Sequence, residues 1–317
     1  MNSTDQTARF WAYSNYLIAL SRLIESEYTN TEDLIKFVTS SKGFAKIHRG
    51  KDVDLDAVAQ SLRLSWYTEL LLTKVIPHKD ILPYATPWSM VQTYYAIYPT
   101  IRAYFMTMGR VVDKSHETSI RTIGSDFISC KDRFPYPWCC ALEGDPSKTI
   151  FSLLGDKYQS EITLSNPLNS PYTNDPREYF GLFLRTTRER LLERKIEWWK
   201  KENNKKRILK AEKSELIRNL RPTNMLDALY RVRSRSNYQD IDSFAFTQIH
   251  EFDYLNLQTA MCKIAGYTLA VFETILARAL GKTTYRRIVG DFAQTPLGNF
   301  PDTTYLRRWD LINQSAW

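Results

Sequence analysis

Between Tyr254 and Leu280 the apolar residues Leu255, Cys262, Ala265, Leu269, Phe272, Leu276 and Ala279 recur at spacings of three, four and seven. An α-helix turns that spacing into one contiguous stripe, and such a stripe has to be buried against other elements. Gly281 follows and ends the helix. Lys263, Glu273 and Arg278 interrupt the most apolar part, which argues for the middle of a helical core and against a membrane span.

The rest of the chain carries the same period. Trp11, Ser14, Leu17, Ile18 and Ser21 predict a helix over 7–27, and Thr31 caps a second one through Thr39. A third spans Leu55 to Val75, before Pro77. Thr86-Pro87 reads as a cap with proline in the first turn, opening a helix from Trp88 to Met108 that Pro99 kinks. Asp175-Pro176-Arg177-Glu178 opens another in the same way. Its stripe of Leu184, Leu191, Leu192, Ile196 and Trp199 thins beyond Asn203-Asn204, which predicts a break or a projecting end there. Thr223 caps a shorter helix to about Arg235. Six of the 13 prolines fall between 130 and 176, so that stretch is irregular, with at most a short hairpin. The expectation is an all-α fold: an N-terminal helical region over 1–82, a helical bundle over 83–281 interrupted by the irregular insertion 130–176 and a long basic helix 177–221, and a tail over 282–317 that packs on the bundle.

With 317 residues, 43% of them hydrophobic, the chain can bury a large core. The polar segment Met1 to Ala8 lacks the apolar run of a signal peptide. Four cysteines without a CxxC, and only four histidines, give neither a zinc site nor a disulfide framework. Adjacent Cys139 and Cys140 read as two half-buried thiols, and a reducing cytoplasm fits. No Walker A, GxGxxG, HExxH or GxSxG motif occurs, so neither a metal nor a cofactor is implied.

Charge is distributed unevenly. From Arg185 to Arg221 there are 14 Lys and Arg against six acids, an excess of +8 that equals the formal charge of the whole chain. Arg194, Lys195, Lys200, Lys201, Lys205, Lys206, Arg207 and Lys210 are therefore candidate nucleic-acid contacts, because clustered cations track a phosphate backbone and release its counterions. Trp198 and Trp199 lie inside the run, and an exposed one could stack on a base. Two other uses stay open: a solvated helix laced with i,i+4 ion pairs, and docking on an acidic protein partner.

Two segments carry a resemblance. Ser89-Met-Val-Gln-Thr-Tyr94-Tyr95-Ala96-Ile-Tyr98, with Lys114-Ser115-His116 downstream, resembles the "YYA" helix and "SH" turn of the HEPN (higher eukaryotes and prokaryotes nucleotide-binding) superfamily. Leu229-Tyr230-Arg231-Val-Arg233-Ser-Arg235-Ser-Asn237-Tyr238 resembles its late helix. The layout is also similar to that of YaaC-like bacterial proteins. Active HEPN ribonucleases cleave RNA without metal through an Arg–x4–6–His motif, often paired across a dimer. Here the window after Arg231 holds Asn237 and Tyr238 but no histidine, and a phenol with an ordinary pKa near 10 is a poor base. The resemblance thus implies RNA or nucleotide binding without standard ribonuclease chemistry, in a bacterial toxin–antitoxin or antiphage setting. His116, Arg231 and Tyr238 are the candidate catalytic residues, and Arg233, Arg235 and Asn237 join the nucleic-acid contacts. His116, Arg231, Arg233, Asn237 and Tyr238 are expected to line one pocket. The rivals are an active ribonuclease with His116 as a displaced base, a structural subunit of a larger complex, and an arginine cluster that merely pairs with Asp240 and Asp242.

Overall fold

The computed structural model describes residues 3–76, 78–111, 115–163, 175–238, 249–296, 298–299 and 303–317. Eleven α-helices are present among them: α1 (Ser3–Glu27), α2 (Thr31–Ser40), α3 (Leu55–Lys74), α4 (Leu82–Thr107), α5 (His116–Ser129), α6 (Pro176–Glu202), α7 (Lys210–Arg218), α8 (Met225–Tyr238), α9 (Glu251–Leu280), α10 (Lys282–Ala293) and α11 (Thr304–Gln314). The protein is all-α. Its β-structure, within the described residues, is five two-residue strands: β1 (Ala141–Leu142), β2 (Ile150–Phe151), β3 (Leu153–Leu154), β4 (Ile162–Thr163) and β5 (Thr223–Asn224).

α4 and α9 form the centre. α4 packs against α3, α9 and α8, and α1 lies across α9 and α6. One hydrophobic cluster runs from Phe10 through Tyr104 and Phe272 to Ile312, so residues on both sides of positions 82 and 281 share a single core. α9 is long and apolar enough to cross a membrane by composition, but 83% of its apolar window is buried inside the molecule.

Helix ends differ from the expectation where two caps competed. α2 is capped by Asn30, whose Oδ1 accepts from Asp33 N at 3.0 Å, rather than by Thr31. α8 is capped by Asn224, which accepts from Leu226 N at 2.8 Å, rather than by Thr223. α4 begins six residues before Trp88, the start that Thr86-Pro87 suggested. Pro83 occupies its first turn, and Thr86 is an interior residue whose hydroxyl donates to Leu82 O at 2.7 Å. The predicted break falls where expected: Asn203 ends α6 and Asn204 has a positive φ of 49°.

The Pro-rich insertion forms two small antiparallel sheets where one hairpin was expected. In the first, β1 is central, with Ala141 opposite Leu154 on one side and Asn224 on the other; in the second, β2 pairs with β4. The insertion is thereby tied to the entry of α8. Cys139 and Cys140 are buried, and the four cysteines are free thiols.

Candidate functional site

The candidate surface forms where α6 passes α5 and α8. Arg190 and Arg194 stand four residues apart and share one face of α6. α8 presents Tyr230 and Arg231, α5 presents Arg121, and the segment before β5 presents Arg221. Together with Lys195 they line an open groove of about 450 Å³. Six cations, Arg121, Arg190, Arg194, Lys195, Arg221 and Arg231, face two acids, Glu117 and Asp227. A smaller groove of about 270 Å³ shares Arg190, Arg194 and Arg231 and adds Ser234 and Arg235. A third, of about 190 Å³, continues past Arg190 and Arg231 to Arg9 and Tyr13 of α1.

The acids only partly offset this charge. Asp227 is occupied by Arg221, whose Nη1 donates to it at 2.8 Å, and Asp227 also accepts from Asn224 N at 3.0 Å. The Arg194–Glu117 pair at 3.3 Å and the Arg190–Glu193 pair at 2.7 Å are solvent-exposed and contribute little. Lys195 donates to Asn219 O at 2.9 Å. Arg231 donates to two hydroxyls, Thr186 Oγ1 at 2.7 Å and Thr187 Oγ1 at 3.2 Å, while its buried Nε has no hydrogen-bond partner among the described residues. Nearby Glu189 is held above the usual carboxylate range by burial, against the pull of Arg185. What results is a surface on which Arg231 and Lys195 are held by neutral oxygens and the cations outnumber the acids, so net positive charge is left for an anion.

His116 is the first residue of α5, just after the cap Ser115, which belongs to the groove wall. Its ring lies 4.1 Å from that of Tyr98, 5.6 Å from Tyr94 and 5.7 Å from Tyr230, stacked on the last at 20°. Tyr94 Oη is 2.8 Å from Nδ1. Burial, and then the charges of Arg233 and Arg102, hold the imidazole below its ordinary value, so it is neutral at pH 7. A histidine depressed in the folded state stabilises the fold above its unfolded pKa near 6.5, and that contribution is lost as pH falls toward the folded value. An NMR titration is expected to give His116 a midpoint below 6.5, moving up in Arg233→Gln; a midpoint at or above 6.5 in the native chain contradicts this.

Of the residues expected in one pocket, the structure unites some and separates others. His116 and Arg233 come together: Arg233 Nη2 donates to Tyr95 Oη at 2.6 Å, and its guanidinium sits 5.2 Å from the Tyr95 ring and 5.7 Å from the Tyr230 ring. Arg231 diverges from Arg233, because two residues on a helix are about 200° apart; it faces α6 while Arg233 faces α4. Asn237 is half-buried on α8. Lys114, the side chain of Tyr238, and the acids Asp240 and Asp242 lie outside the described residues. His116 does not line the groove itself; Tyr230, stacked upon it, does.

The basic run splits in two. Arg194 and Lys195 belong to the groove. Lys200 and Lys201 lie in the last turn of α6, Lys205, Lys206 and Arg207 in the turn that follows, and Lys210 at the start of α7. Lys205 is tied to Glu212 at 2.8 Å and lies 5.1 Å above the Trp199 ring; Trp198 is 60% exposed. Sequence reasoning passed over Arg121, Arg190, Arg221 and Tyr230. Arg190 carried a signal, standing four residues before Arg194, whereas Arg121 and Arg221 reach the groove only through the fold. Comparison with family models, curated proteins and solved structures finds no match to this chain.

Proposed function

We propose that this protein binds RNA, its phosphates seated in the groove between α5, α6 and α8, and that it does so without the acid–base chemistry of an active HEPN ribonuclease. The observation that carries the reading is the convergence of six cations from four separate segments on one groove against two acids, Asp227 bound to Arg221 and Glu117 in an exposed pair with Arg194. Such charge gives affinity by displacing counterions. RNA, rather than another polyanion, follows from the HEPN resemblance, which also makes a toxin–antitoxin or antiphage role the setting we propose.

Anisotropy of a labelled RNA oligonucleotide, titrated across salt concentration, tests it. Arg190→Ala, Arg194→Ala and Arg231→Ala together are expected to weaken binding at least 10-fold, and to reduce the log–log salt slope by about 0.7 for each phosphate that is no longer neutralised. Neutralising Lys200, Lys201, Lys205 and Lys206 reports separately whether the α6–α7 turn takes part. Unchanged affinity in the groove variant overturns the reading. A second reading, cleavage with His116 as base, is favoured by the proximity of His116 to Arg233 through Tyr95 and Tyr230. RNA degradation in EDTA that disappears in His116→Ala would establish it in place of binding alone.

A further inference from the structure

α4 is enclosed on nearly every side, and three of its positions are exposed: Tyr84, Trp88 and Arg102. With half-exposed Tyr95 they stand four, seven and seven residues apart, which puts all four on one ridge. The solvent-facing ridge of a buried helix ordinarily carries lysine, glutamate or glutamine. Here Tyr84 is 75% exposed and Trp88 58%. Two large aromatic rings on a rigid helix keep most of their surface in water, the mark of a surface with a partner.

The ridge is continuous with the cationic groove. Tyr95 accepts a hydrogen bond from Arg233 at 2.6 Å. Arg233 also lies over Tyr230, and Tyr230 forms part of the groove wall beside Arg194 and Arg231. Aromatic faces therefore run into guanidinium groups along one track, with about 16 Å of helix between Tyr84 and Tyr95. That pairing matches a chain that carries flat rings and negative charge side by side. A base can stack on an aromatic ring only when its own face is open, and in a duplex those faces are sealed by neighbouring pairs.

We propose that the α4 ridge is a stacking platform for unpaired bases, which makes the ligand of the groove single-stranded nucleic acid. The proposal rests on the binding function argued above, and its test separates the two. The full-length chain is titrated with an unstructured single-stranded RNA oligonucleotide and with the same strand annealed to its complement. Trp88→Ala and Tyr84→Ala are expected to weaken single-strand binding about 5-fold or more each, leaving the salt slope and duplex affinity unchanged, while Trp88→Phe restores most of the loss. Both side chains are exposed, so an unaltered melting temperature verifies folding. If the ridge variants bind the single strand like the native chain while the groove variants do not, the platform is wrong and the groove stands. When neither set affects binding, the groove fails as well. Equal losses on strand and duplex overturn single-strand selectivity. A concentration-dependent dimer that Trp88→Ala dissolves assigns the ridge to a second copy instead.

Discussion

Arg308→Met is expected to destabilise the fold by about 3–5 kcal/mol, read as a lower urea midpoint at neutral pH. Arg308 is 3% exposed and holds two buried carboxylates. Its Nη1 and Nη2 donate to Glu69 at 2.6 and 2.8 Å, and its Nε and Nη2 donate to Glu273 at 3.0 and 2.7 Å. Trp66 Nε1 adds a bond to Glu273 at 2.8 Å. The network pins α11 to α3 and α9. Removing the cation leaves two carboxylates out of water with no countercharge, which costs far more than the pair contributes relative to an apolar replacement.

The same network gives the variant a signature in pH. Burial holds Glu273 above the usual carboxylate range even with Arg308 beside it. A carboxyl raised in the folded state takes up a proton on folding, so its contribution is most favourable below its unfolded pKa of about 4.3 and is lost as pH rises through the folded value. Without Arg308, which pulls it down, Glu273 rises further. Arg308→Met should therefore recover much of its stability near pH 5, and Glu69→Gln with Glu273→Gln on that background should recover it at neutral pH. A small loss that does not vary with pH would refute the account.

Periodicity served the sequence reading well where a stripe was long and unbroken. α9 and α3 were legible because Leu269, Phe272 and Leu276, or Val58, Leu62 and Trp66, repeat over many turns. The start of α4 was misplaced because Thr86-Pro87 satisfies every local rule for a helix entry, yet burying Leu82, Thr86 and Met90 on one face stabilises an earlier turn of helix. α5 is hard to see in the sequence although Ile120, Ile123 and Phe127 have helical spacing, because they sit among Ser, Thr and Arg. The tail forms α10 and α11, whose buried Tyr285, Ile288, Phe292, Tyr305, Trp309 and Ile312 alternate with too many arginines to stand out. At the site, charge density singled out α6 but could not divide Arg194 and Lys195 from the lysines of the α6–α7 turn. That division depends on α7 folding back, and on α5 and α8 closing over α6 no farther along than Glu197.

That closure depends on one buried cation, and its removal is the second large effect expected. Arg188 is 1% exposed, and each acceptor at its guanidinium is a neutral oxygen. Nε donates to Gly144 O at 2.7 Å, Nη1 to Arg221 O at 2.6 Å and to Thr223 Oγ1 at 3.4 Å, and Nη2 to Leu220 O at 3.1 Å. One side chain of α6 thus gathers the Pro-rich insertion and the segment between α7 and α8, and that segment delivers Leu220 and Arg221 to the groove. Burial lowers its pKa from the ordinary arginine value, so desolvation opposes what the hydrogen bonds contribute. Arg188→Met relieves that desolvation but leaves four carbonyls, those of Gly144, Ile217, Leu220 and Arg221, without their donor, at about 1–3 kcal/mol each when buried. Because these carbonyls are only partly buried, the net loss should be about 2–3 kcal/mol. Arg188→Lys should recover less than half of it, since an ammonium is a point donor that cannot span oxygens arranged around a planar fork. RNA affinity should fall with stability, because Arg221 loses its anchored backbone while its own side chain is untouched. A lysine variant as stable as the native protein would show that charge at this position suffices, and that the fork geometry does not build the groove.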